Sequence, residues 1–277
     1  MKRVLFTICT YNELENIRDL LAELRAVAPD ADIVVIDDNS PDGTGAAVRE
    51  MMQTDEKISL LHRPKKDGLG AATLAGFRYA IEHGYDTLLN LDADFSHNPK
   101  YVPNLLAASE RADVVIGSRY VDGGRVQGWS LKRHIMSQCI NLYARVMLGL
   151  TTRDNSGAFR CYSVNKLAQI DWTETLSRGY AFQEEVLYRC RAIGCSFVEV
   201  PISFEDRRFG ETKISWQESV LAVWILFRLA LQRLTGRPVA LDRKQPPATG
   251  GREHANRTAA NDRTTVTSDS SVGEPSL

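Results

Sequence analysis

The sequence lacks both a paired-cysteine framework and an apolar run long enough to span a membrane. Its five cysteines are odd in number and none forms a CxxC pair, so neither a disulfide scaffold nor a zinc ribbon is predicted. The segment that comes closest to such a run, residues 220–231, is interrupted by Arg228. A spanning helix needs about 18 uninterrupted apolar residues. The apolar run at residues 4–9 is too short for a signal peptide. We therefore expect a protein of the reducing cytosol.

The sequence also lacks an excess of charge of either sign. Lys and Arg number 34 against 35 Asp and Glu, a net charge of −1, so no basic field predicts a nucleic-acid partner. With 277 residues, 43% apolar and 25% charged, the composition is that of a globular protein. From Arg237 onward no aromatic residue occurs and polar residues dominate, which predicts a disordered tail over residues 237–277.

Short apolar runs alternate with amphipathic helical patterns over residues 3–117. The β-like runs are residues 4–9, 33–36, 58–61, 88–91 and 114–116. The first helical pattern has Asn12 as its expected N-cap, and its expected apolar face is Leu14, Ile17, Leu21 and Leu24. Repeated strand–helix–strand units predict an α/β fold with a mostly parallel sheet and a ligand site at the carboxyl ends of the strands.

The second half of the chain is less regular. It predicts a helix at 135–148, a loop at 154–161, a helix at 183–193, a strand at 197–204 and a helix at 216–234. In the last helix an apolar stripe recurs at three- and four-residue steps, and its members are Val220, Val223, Trp224, Phe227 and Leu231. This helix either packs on the sheet or lies in a membrane interface, with Arg228 and Arg233 beside anionic head groups.

Acidic side chains follow three of the predicted strands, and those after the fourth strand are the most informative. Alternation along an extended backbone points Asp92 and Asp94 to the same side. Paired carboxylates suit Mg²⁺ or Mn²⁺, which are held by one or two carboxylates together with substrate phosphates. The alternative is that both aspartates are solvated and cap the helix near Pro99. Because other acidic loops, at residues 10–13 and 37–43, meet at the same sheet edge, we favour the metal site.

Two further motifs have both a chemical and a structural interpretation. The segment Gly68 to Thr73 resembles a dinucleotide fingerprint but lacks its third glycine and follows the third strand instead of the first, so we expect a tight turn. The loop after the last strand carries Arg207, Arg208 and Lys213 around Gly210. These cations either form a solvated surface or neutralise a diphosphate leaving group, and we favour the second.

Seven motifs in order resemble the dolichol-phosphate mannosyltransferases of glycosyltransferase family 2. They span residues 9–13, 36–44, 92–99, 117–120, 156–160, 179–184 and 206–213, and the resemblance covers residues 4 to about 215. It implies a GT-A fold, an inverting mechanism, a divalent metal, GDP-mannose as the donor and a polyprenyl monophosphate lipid as the acceptor.

The resemblance also implies roles for individual residues. The donor nucleotide site would comprise Cys9, Thr10, Tyr11, Glu13, Ile36, Asp38, Ala93, Arg207 and Lys213, with Asp38 accepting hydrogen bonds from the base. The metal ligands would be Asp92, Asp94 and Ser96, and the acceptor phosphate would be bound by Arg119, Arg133 and Ser137. Asp92, Asp94 and Arg119 would be the catalytic residues, and His97 is expected to be a loop or cap residue. Cys9 stands where many members of the family have proline, and Ser96 stands where some have a metal-binding glutamine.

The implied organisation is a catalytic domain at residues 1–214, an interfacial helix at 215–236 and the tail. We expect a peripheral protein on the cytoplasmic face of a membrane. Since a phosphate monoester has a second pKa near 6, the acceptor is already an oxyanion and needs no general base. Two other functions stay open: a family 2 enzyme that uses UDP-glucose or an aminosugar donor, on a lipid phosphate or a polysaccharide acceptor, and a non-catalytic sugar-nucleotide binder. The acidic pair and Arg119 speak against the second.

Overall fold

A seven-stranded sheet organises the chain. The computed structural model describes residues 2–177, 179, 181–206, 216–236, 239 and 241, with the backbone alone at 216–219. The strands are β1 Val4–Thr10, β2 Asp32–Asp37, β3 Ile58–His62, β4 Thr87–Asp92, β5 Val114–Ser118, β6 Arg125–Val126, β7 Arg160–Ser163, β8 Phe197–Pro201 and β9 Ser203–Phe204. The order in the main sheet is β3-β2-β1-β4-β7-β5-β8, and β6 pairs with β9 separately. Only β7 runs antiparallel to its neighbours in that sheet, so the predicted mostly parallel α/β fold is confirmed.

Helices flank the sheet and bury both of its faces. They are α1 Leu14–Val27, α2 Thr44–Met51, α3 Leu69–Glu82, α4 Val102–Ser109, α5 Leu131–Leu148, α6 Val164–Leu167, α7 Phe182–Ala192 and α8 Trp216–Leu234. Consecutive strand residues contribute to different cores, because side chains alternate across a sheet. Leu5 and Leu88 belong to one core, and their neighbours Phe6 and Leu89 belong to the other. Strands buried on both faces explain the continuous apolar runs in the sequence.

The start of α1 differs from its prediction. The N-cap position is Glu13, whose side chain makes no capping hydrogen bond, while Asn12 precedes it with a φ of 62°. Asp42 from the loop after β2 supplies the cap instead, since its Oδ2 accepts a hydrogen bond from the Leu14 nitrogen at 3.0 Å. Leu14 itself is 40% exposed and Leu20 is buried in the apolar face. The cap comes from a distant loop, which the local pattern could not reveal.

Two boundaries in the second half also need correction. The predicted loop at 154–161 ends where β7 begins, at Arg160. The predicted strand at 197–204 is two strands, β8 and β9, separated by the buried Ile202. At Ile202 the chain exchanges partners, because its nitrogen donates to the Ser118 carbonyl of β5 and its carbonyl accepts from Arg125 of β6. Hydrophobicity continues through this exchange, so the sequence gives no sign of it.

The last helix, α8, is apolar on two sides. Ile225, Leu226 and Leu229 are buried in the core that α5 and α7 also line. The predicted stripe faces the opposite way: Trp224 is 55% exposed and Phe227 is 39% exposed. The helix therefore both packs on the fold and presents an apolar face. Among the described residues no helix is long and apolar enough to cross a membrane.

The end of α8 and the predicted tail complete the described structure. Arg233 donates to the carbonyls of Val146 and Met147 at the end of α5, at 3.3 and 3.2 Å, so this cation caps a helix, whereas the sequence prediction placed it at head groups. Of the predicted tail, only Val239 and Leu241 are described, and Leu241 forms an isolated bridge with Ile170.

Candidate active site

The carboxyl ends of β1, β2 and β4 bring the predicted donor residues side by side. Cys9 is paired in register with Ile36 on one side and with Asp92 on the other. Thr10 is the last residue of β1, and its carbonyl accepts a hydrogen bond from the Asp38 nitrogen at 3.1 Å. The ends of β1 and β2 therefore place four predicted donor-site residues next to one another: Cys9, Thr10, Ile36 and Asp38.

Asp38, the residue expected to bind the base, forms an ion pair with Arg63. Its Oδ1 lies 2.6 Å from Arg63 Nη1, and both side chains are largely buried. Burial raises the pKa of Asp38, and Arg63 opposes that effect. Tyr11 lies nearby at the surface, with Lys66 Nζ 4.0 Å from the centre of its ring. The sequence prediction did not include Arg63 and Lys66 as parts of this edge.

Other predicted donor residues are used within the fold. Thr10 is buried, and its hydroxyl donates to Asp37 Oδ1 at 3.2 Å. The Glu13 carboxylate accepts a hydrogen bond from Asn16 Nδ2 at 2.9 Å. Burial raises the pKa of the Cys9 thiol to about 12, so this side chain is neutral at physiological pH. Packing and hydrogen bonds within the fold therefore hold these three residues at the sheet edge.

The acidic pair at the end of β4 has two different environments. Asp94 is buried and its Oδ1 accepts from the Ser96 hydroxyl at 2.6 Å and from the Ser96 nitrogen at 3.1 Å. The side chain of Asp92 is 35% exposed, and Ala93 between them is buried. The alternative in which both aspartates cap the helix near Pro99 is wrong, because the cap there is the Asn98 side chain, which accepts from the Lys100 nitrogen.

His97 is more than a loop or cap residue. It is buried, its Nδ1 accepts a hydrogen bond from the Asp92 nitrogen at 2.9 Å, and its ring stacks on Phe159 at 5.0 Å. This bond fixes the protonated nitrogen as Nε2 when the ring is neutral. The histidine therefore holds the Asp92 backbone in place, which sequence spacing alone did not indicate.

The oxygen atoms at the end of β4 fit a hard divalent cation that is coordinated partly by the protein and partly by a substrate. Two carboxylates and one hydroxyl offer oxygen atoms, the ligands that Mg²⁺ and Mn²⁺ prefer. Among the described residues there is no group of three His, Cys, Asp or Glu side chains that could hold a metal ion. A site with few protein carboxylates suits an ion whose remaining ligands come from phosphates and water.

Arg119, predicted to be catalytic, is anchored by a buried carboxylate. Its Nε donates to Asp154 Oδ2 and its Nη2 donates to Asp154 Oδ1, both at 2.7 Å. The Nη2 atom also donates to Ser156 Oγ at 2.9 Å. Burial raises the pKa of Asp154, but the charge and hydrogen bonds of Arg119 outweigh it and the pKa is lowered. Both groups are therefore charged. Asp154 begins the loop that the sequence marked, but nothing in the sequence pairs it with Arg119.

The other predicted acceptor residues lie on α5 and also have partners. Arg133 Nη1 lies 2.9 Å from Asp206 Oδ2, in a partly exposed pair. Ser137 Oγ accepts a hydrogen bond from the Tyr120 hydroxyl at 2.7 Å. Arg207 and Lys213 lie outside the described residues.

Aromatic rings connect the acidic loop of β4 with the acceptor residues. The rings of His97 and Phe204 make an edge-to-face contact with centres 6.0 Å apart, and those of Phe204 and Trp129 do so at 5.4 Å. The guanidinium of Arg119 lies 5.4 Å from the centre of Trp129, and that of Arg133 lies 4.2 Å from it. The predicted metal and acceptor sites are thus linked by packed side chains. The prediction from the sequence missed Trp129, whose aromatic character alone gives no functional signal.

Fold and site together define a GT-A glycosyltransferase. Solved structures support the fold: glucosyl-3-phosphoglycerate synthase from Mycobacterium tuberculosis, in complex with Mn²⁺, UDP-glucose and phosphoglyceric acid, matches with a TM-score of 0.59 and 14% identity over 86% of this chain and 82% of that one. Residues 6–171 match Glycosyl transferase family 2. The chain belongs to glycosyl transferase family 2, and its resemblance to the polyprenyl-phosphate mannose synthases is confirmed.

Two curated relatives carry that resemblance. The undecaprenyl-phosphate mannosyltransferase of Micrococcus luteus is 45% identical over 213 residues, which cover 77% of this chain and 88% of the relative. The polyprenol monophosphomannose synthase of Mycolicibacterium smegmatis is 42% identical over 216 residues, which cover 77% and 82%.

Proposed function

We propose that the protein transfers mannose from GDP-mannose to the phosphate of a polyprenyl phosphate lipid. The observation that carries the proposal is the convergence of two arginines, Arg119 and Arg133, on one indole ring beside an acidic strand end. Cations suit a phosphate acceptor, while the carboxylates suit a metal on a donor diphosphate. The two relatives with 45% and 42% identity are named as an undecaprenyl-phosphate mannosyltransferase and a polyprenol monophosphomannose synthase, which supports mannose as the transferred sugar.

In this proposal Asp92, Asp94 and Ser96 hold the Mg²⁺ or Mn²⁺ ion. When bound, such an ion neutralises the charge that grows on a leaving diphosphate. Arg207 and Lys213 would bind the same phosphates. Cys9, Ile36, Asp38 and Ala93 would line the nucleoside pocket together with Thr10, Tyr11 and Glu13. Because Asp38 is paired with Arg63, we expect the base to meet this ion pair and not an isolated carboxylate.

The acceptor phosphate is the nucleophile. One of its oxygens attacks the anomeric carbon from the side opposite the diphosphate, the bond from that carbon to the diphosphate oxygen breaks, and GDP leaves with the electron pair. No proton has to be removed, since the phosphate is largely ionised at neutral pH. Arg119, fixed by Asp154, and Arg133, on α5, would hold that phosphate, with Ser137 beside them. Positioning in line with the breaking bond is then the main contribution of the protein.

A membrane surface is the proposed source of the lipid acceptor. Helices α5 and α8 contact one another and both expose apolar side chains. On α5 these are Leu131, Ile135, Met136, Leu142 and Val146, and on α8 they are Val220, Leu221, Val223, Trp224, Phe227, Leu231 and Leu234. A face of this kind, with cations such as Arg228, is typical of helices that lie in the interface. The acceptor residues Arg133 and Ser137 are on α5 itself, so the lipid phosphate would arrive beside them.

The proposed organisation is a catalytic domain over residues 1–214 and an interfacial segment at 215–236. The proposed location is the cytoplasmic face of a membrane, where a nucleotide sugar is available to a peripheral enzyme.

Incubation with radiolabelled sugar nucleotides tests the proposal. The purified protein is given GDP-mannose or UDP-glucose, each with a polyprenyl phosphate and with or without EDTA. We expect label in the lipid fraction from GDP-mannose only, and none with EDTA. Transfer from UDP-glucose instead would show that the donor is not GDP-mannose, absence of label from the lipid fraction would contradict the lipid acceptor, and full turnover in EDTA would contradict the metal ion.

A further inference from the structure

Trp129 lies where the two proposed acceptor arginines meet. It stands between β6 and α5 in the chain. The Cζ atoms of Arg133 and Arg119 are 4.2 and 5.4 Å from the centre of its ring. Both distances are within the range of a cation–π attraction. One aromatic ring therefore contacts both cations that the proposed mechanism assigns to the acceptor phosphate.

Each arginine also has a carboxylate of its own, so the ring is not needed to balance charge. Arg119 is paired with Asp154, and Arg133 is paired with Asp206. These carboxylates come from different parts of the chain, and Trp129 is the side chain that both guanidinium groups share. Phe204 makes an edge-to-face contact with the indole at 5.4 Å and also contacts Arg119. The ring is consequently held in a fixed orientation.

The indole nitrogen supplies a second, independent observation. Trp129 Nε1 is enclosed and has no hydrogen-bond partner among the described residues. An enclosed donor without a partner loses its hydrogen bond to water without replacement, and such donors are rare in native proteins. Because two guanidinium groups contact the same indole ring, an anion is the natural acceptor of this hydrogen bond, since it can accept from all three groups.

We propose that Trp129 belongs to the acceptor-phosphate site, where its ring keeps Arg119 and Arg133 together and its indole N–H donates to a phosphate oxygen. The inference rests on the proposed function. It gives the phosphate three converging donor groups, of which two are charged and one is neutral. It also explains why an indole, which has both a π face and a donor, occupies this position.

Two substitutions separate the ring from the donor. Trp129→Phe keeps a ring and removes the N–H, and Trp129→Ala removes both. The matched control is Trp172→Phe, since Trp172 also donates its indole N–H, to the Leu167 carbonyl, but lies in the core. For each variant, KM for polyprenyl phosphate, KM for GDP-mannose, kcat and the melting temperature are measured.

We expect Trp129→Phe to raise the KM for polyprenyl phosphate roughly tenfold, as the loss of one hydrogen bond to a charged group would. For Trp129→Ala we expect a further increase of about threefold, because the cation–π contacts are also lost. KM for GDP-mannose should stay within about twofold in both, which a general structural defect would not produce. Trp172→Phe should leave both KM values unchanged.

An unchanged KM for polyprenyl phosphate in a folded Trp129→Phe variant would overturn the inference, even if Trp129→Ala fails to fold. Equal increases in both KM values would overturn it as well. Failure of the proposed function is distinguishable, since the wild-type protein would then transfer no mannose to the lipid at all.

Discussion

Asp154 accepts hydrogen bonds from three nitrogens of Arg119: the backbone nitrogen, Nε and Nη2. Both side chains are buried, with exposures of 0% and 7%. The backbone bond fixes the end of β5, and the side-chain bonds fix the direction of the guanidinium. A proposed catalytic cation is therefore immobilised by the fold before any substrate binds.

Replacing Asp154 should consequently lower the free energy of unfolding by more than replacing the carboxylate of a partly exposed ion pair does. Asp154→Asn leaves a buried guanidinium without its countercharge, and breaking such a pair costs about 3–5 kcal/mol. Urea denaturation measures the loss. The control is Asp206→Asn, which breaks the partly exposed pair with Arg133 and should cost under about 1 kcal/mol. Similar losses in the two variants would show that the Arg119 pair is not the stronger anchor.

Asp94 should be dispensable for folding and required for transfer. In Asp94→Asn the Oδ1 atom that accepts from Ser96 is retained, so we expect a melting temperature within a few degrees of wild type and transfer reduced by orders of magnitude. Asp113→Asn is the matched control, because the Asp113 carboxylate accepts from the nitrogen and hydroxyl of Ser196 in the same way but precedes β5, at the opposite sheet edge. Wild-type turnover by Asp94→Asn contradicts the metal assignment.

Arg133 and Asp38 should act on different substrates. Arg133→Ala removes a charged donor, a loss of roughly 1.5–3 kcal/mol, and should raise KM for polyprenyl phosphate while leaving KM for GDP-mannose unchanged. Asp38→Asn should do the reverse, because it alters the ion pair with Arg63 at the donor edge. Arg145→Ala, an exposed arginine on the same helix α5, serves as the control. If both variants weaken the sugar nucleotide equally, the two-site assignment is wrong.

Membrane binding should depend on the exposed face of α8. Trp224 and Phe227 stack on each other at 5.8 Å and are exposed, so changing both to glutamate disturbs little packing. Trp224→Glu with Phe227→Glu should release the protein from anionic vesicles in sedimentation, while a short soluble acceptor is still used. Met52→Glu replaces a similarly exposed apolar residue, at the end of α2, and should bind as wild type does. Truncation after Arg237 should change neither activity nor sedimentation. Persistent vesicle binding by the double variant contradicts the interfacial helix.

Glu184 should make stability depend on pH. Burial raises the pKa of its carboxyl from 4.5 to about 7, and its Oε2 has no hydrogen-bond partner among the described residues. The unfolded chain releases this proton near pH 4.5, whereas the folded state keeps it up to about pH 7. The stability that this proton binding provides is therefore fully present below pH 4.5 and is lost as the pH rises through 7. Between pH 5 and 8 the loss is about 2–3 kcal/mol.

Denaturation of Glu184→Gln at both pH values tests this dependence. The free energy of unfolding of Glu184→Gln should not show this loss between pH 5 and 8. Glu110→Gln, a change at an exposed carboxylate, should lose as much stability over this range as wild type does. Parallel pH profiles for wild type and Glu184→Gln would mean that Glu184 is ionised throughout.

Local patterns predicted the parts of the fold that local forces determine. The first five strands and helix α8 lie near their predicted positions. Apolar runs and helical periodicity depend on residues that are close in the sequence, so a sequence window reveals them. The β8 to β9 exchange at Ile202 depends on a carbonyl of β5, more than 80 positions away in the chain. No sequence window contains both partners.

The candidate site divides in the same way. Its acidic pair is local and was predicted from Asp92 and Asp94. The partners that fix the arginines, Asp154 and Trp129, and the buried His97 required the fold to be known, because their contacts join different strands and loops. The roles of the residues named from the resemblance stay predictions until the variants are measured.

The antiparallel strand β7 lies between β4, which carries the acidic pair, and β5, which carries Arg119. Two strand spacings place the ends of β4 and β5 about 10 Å apart. The pairing of β7 with both strands therefore sets the separation between the acidic pair and Arg119, and a slip of β7 against either neighbour would move one group relative to the other.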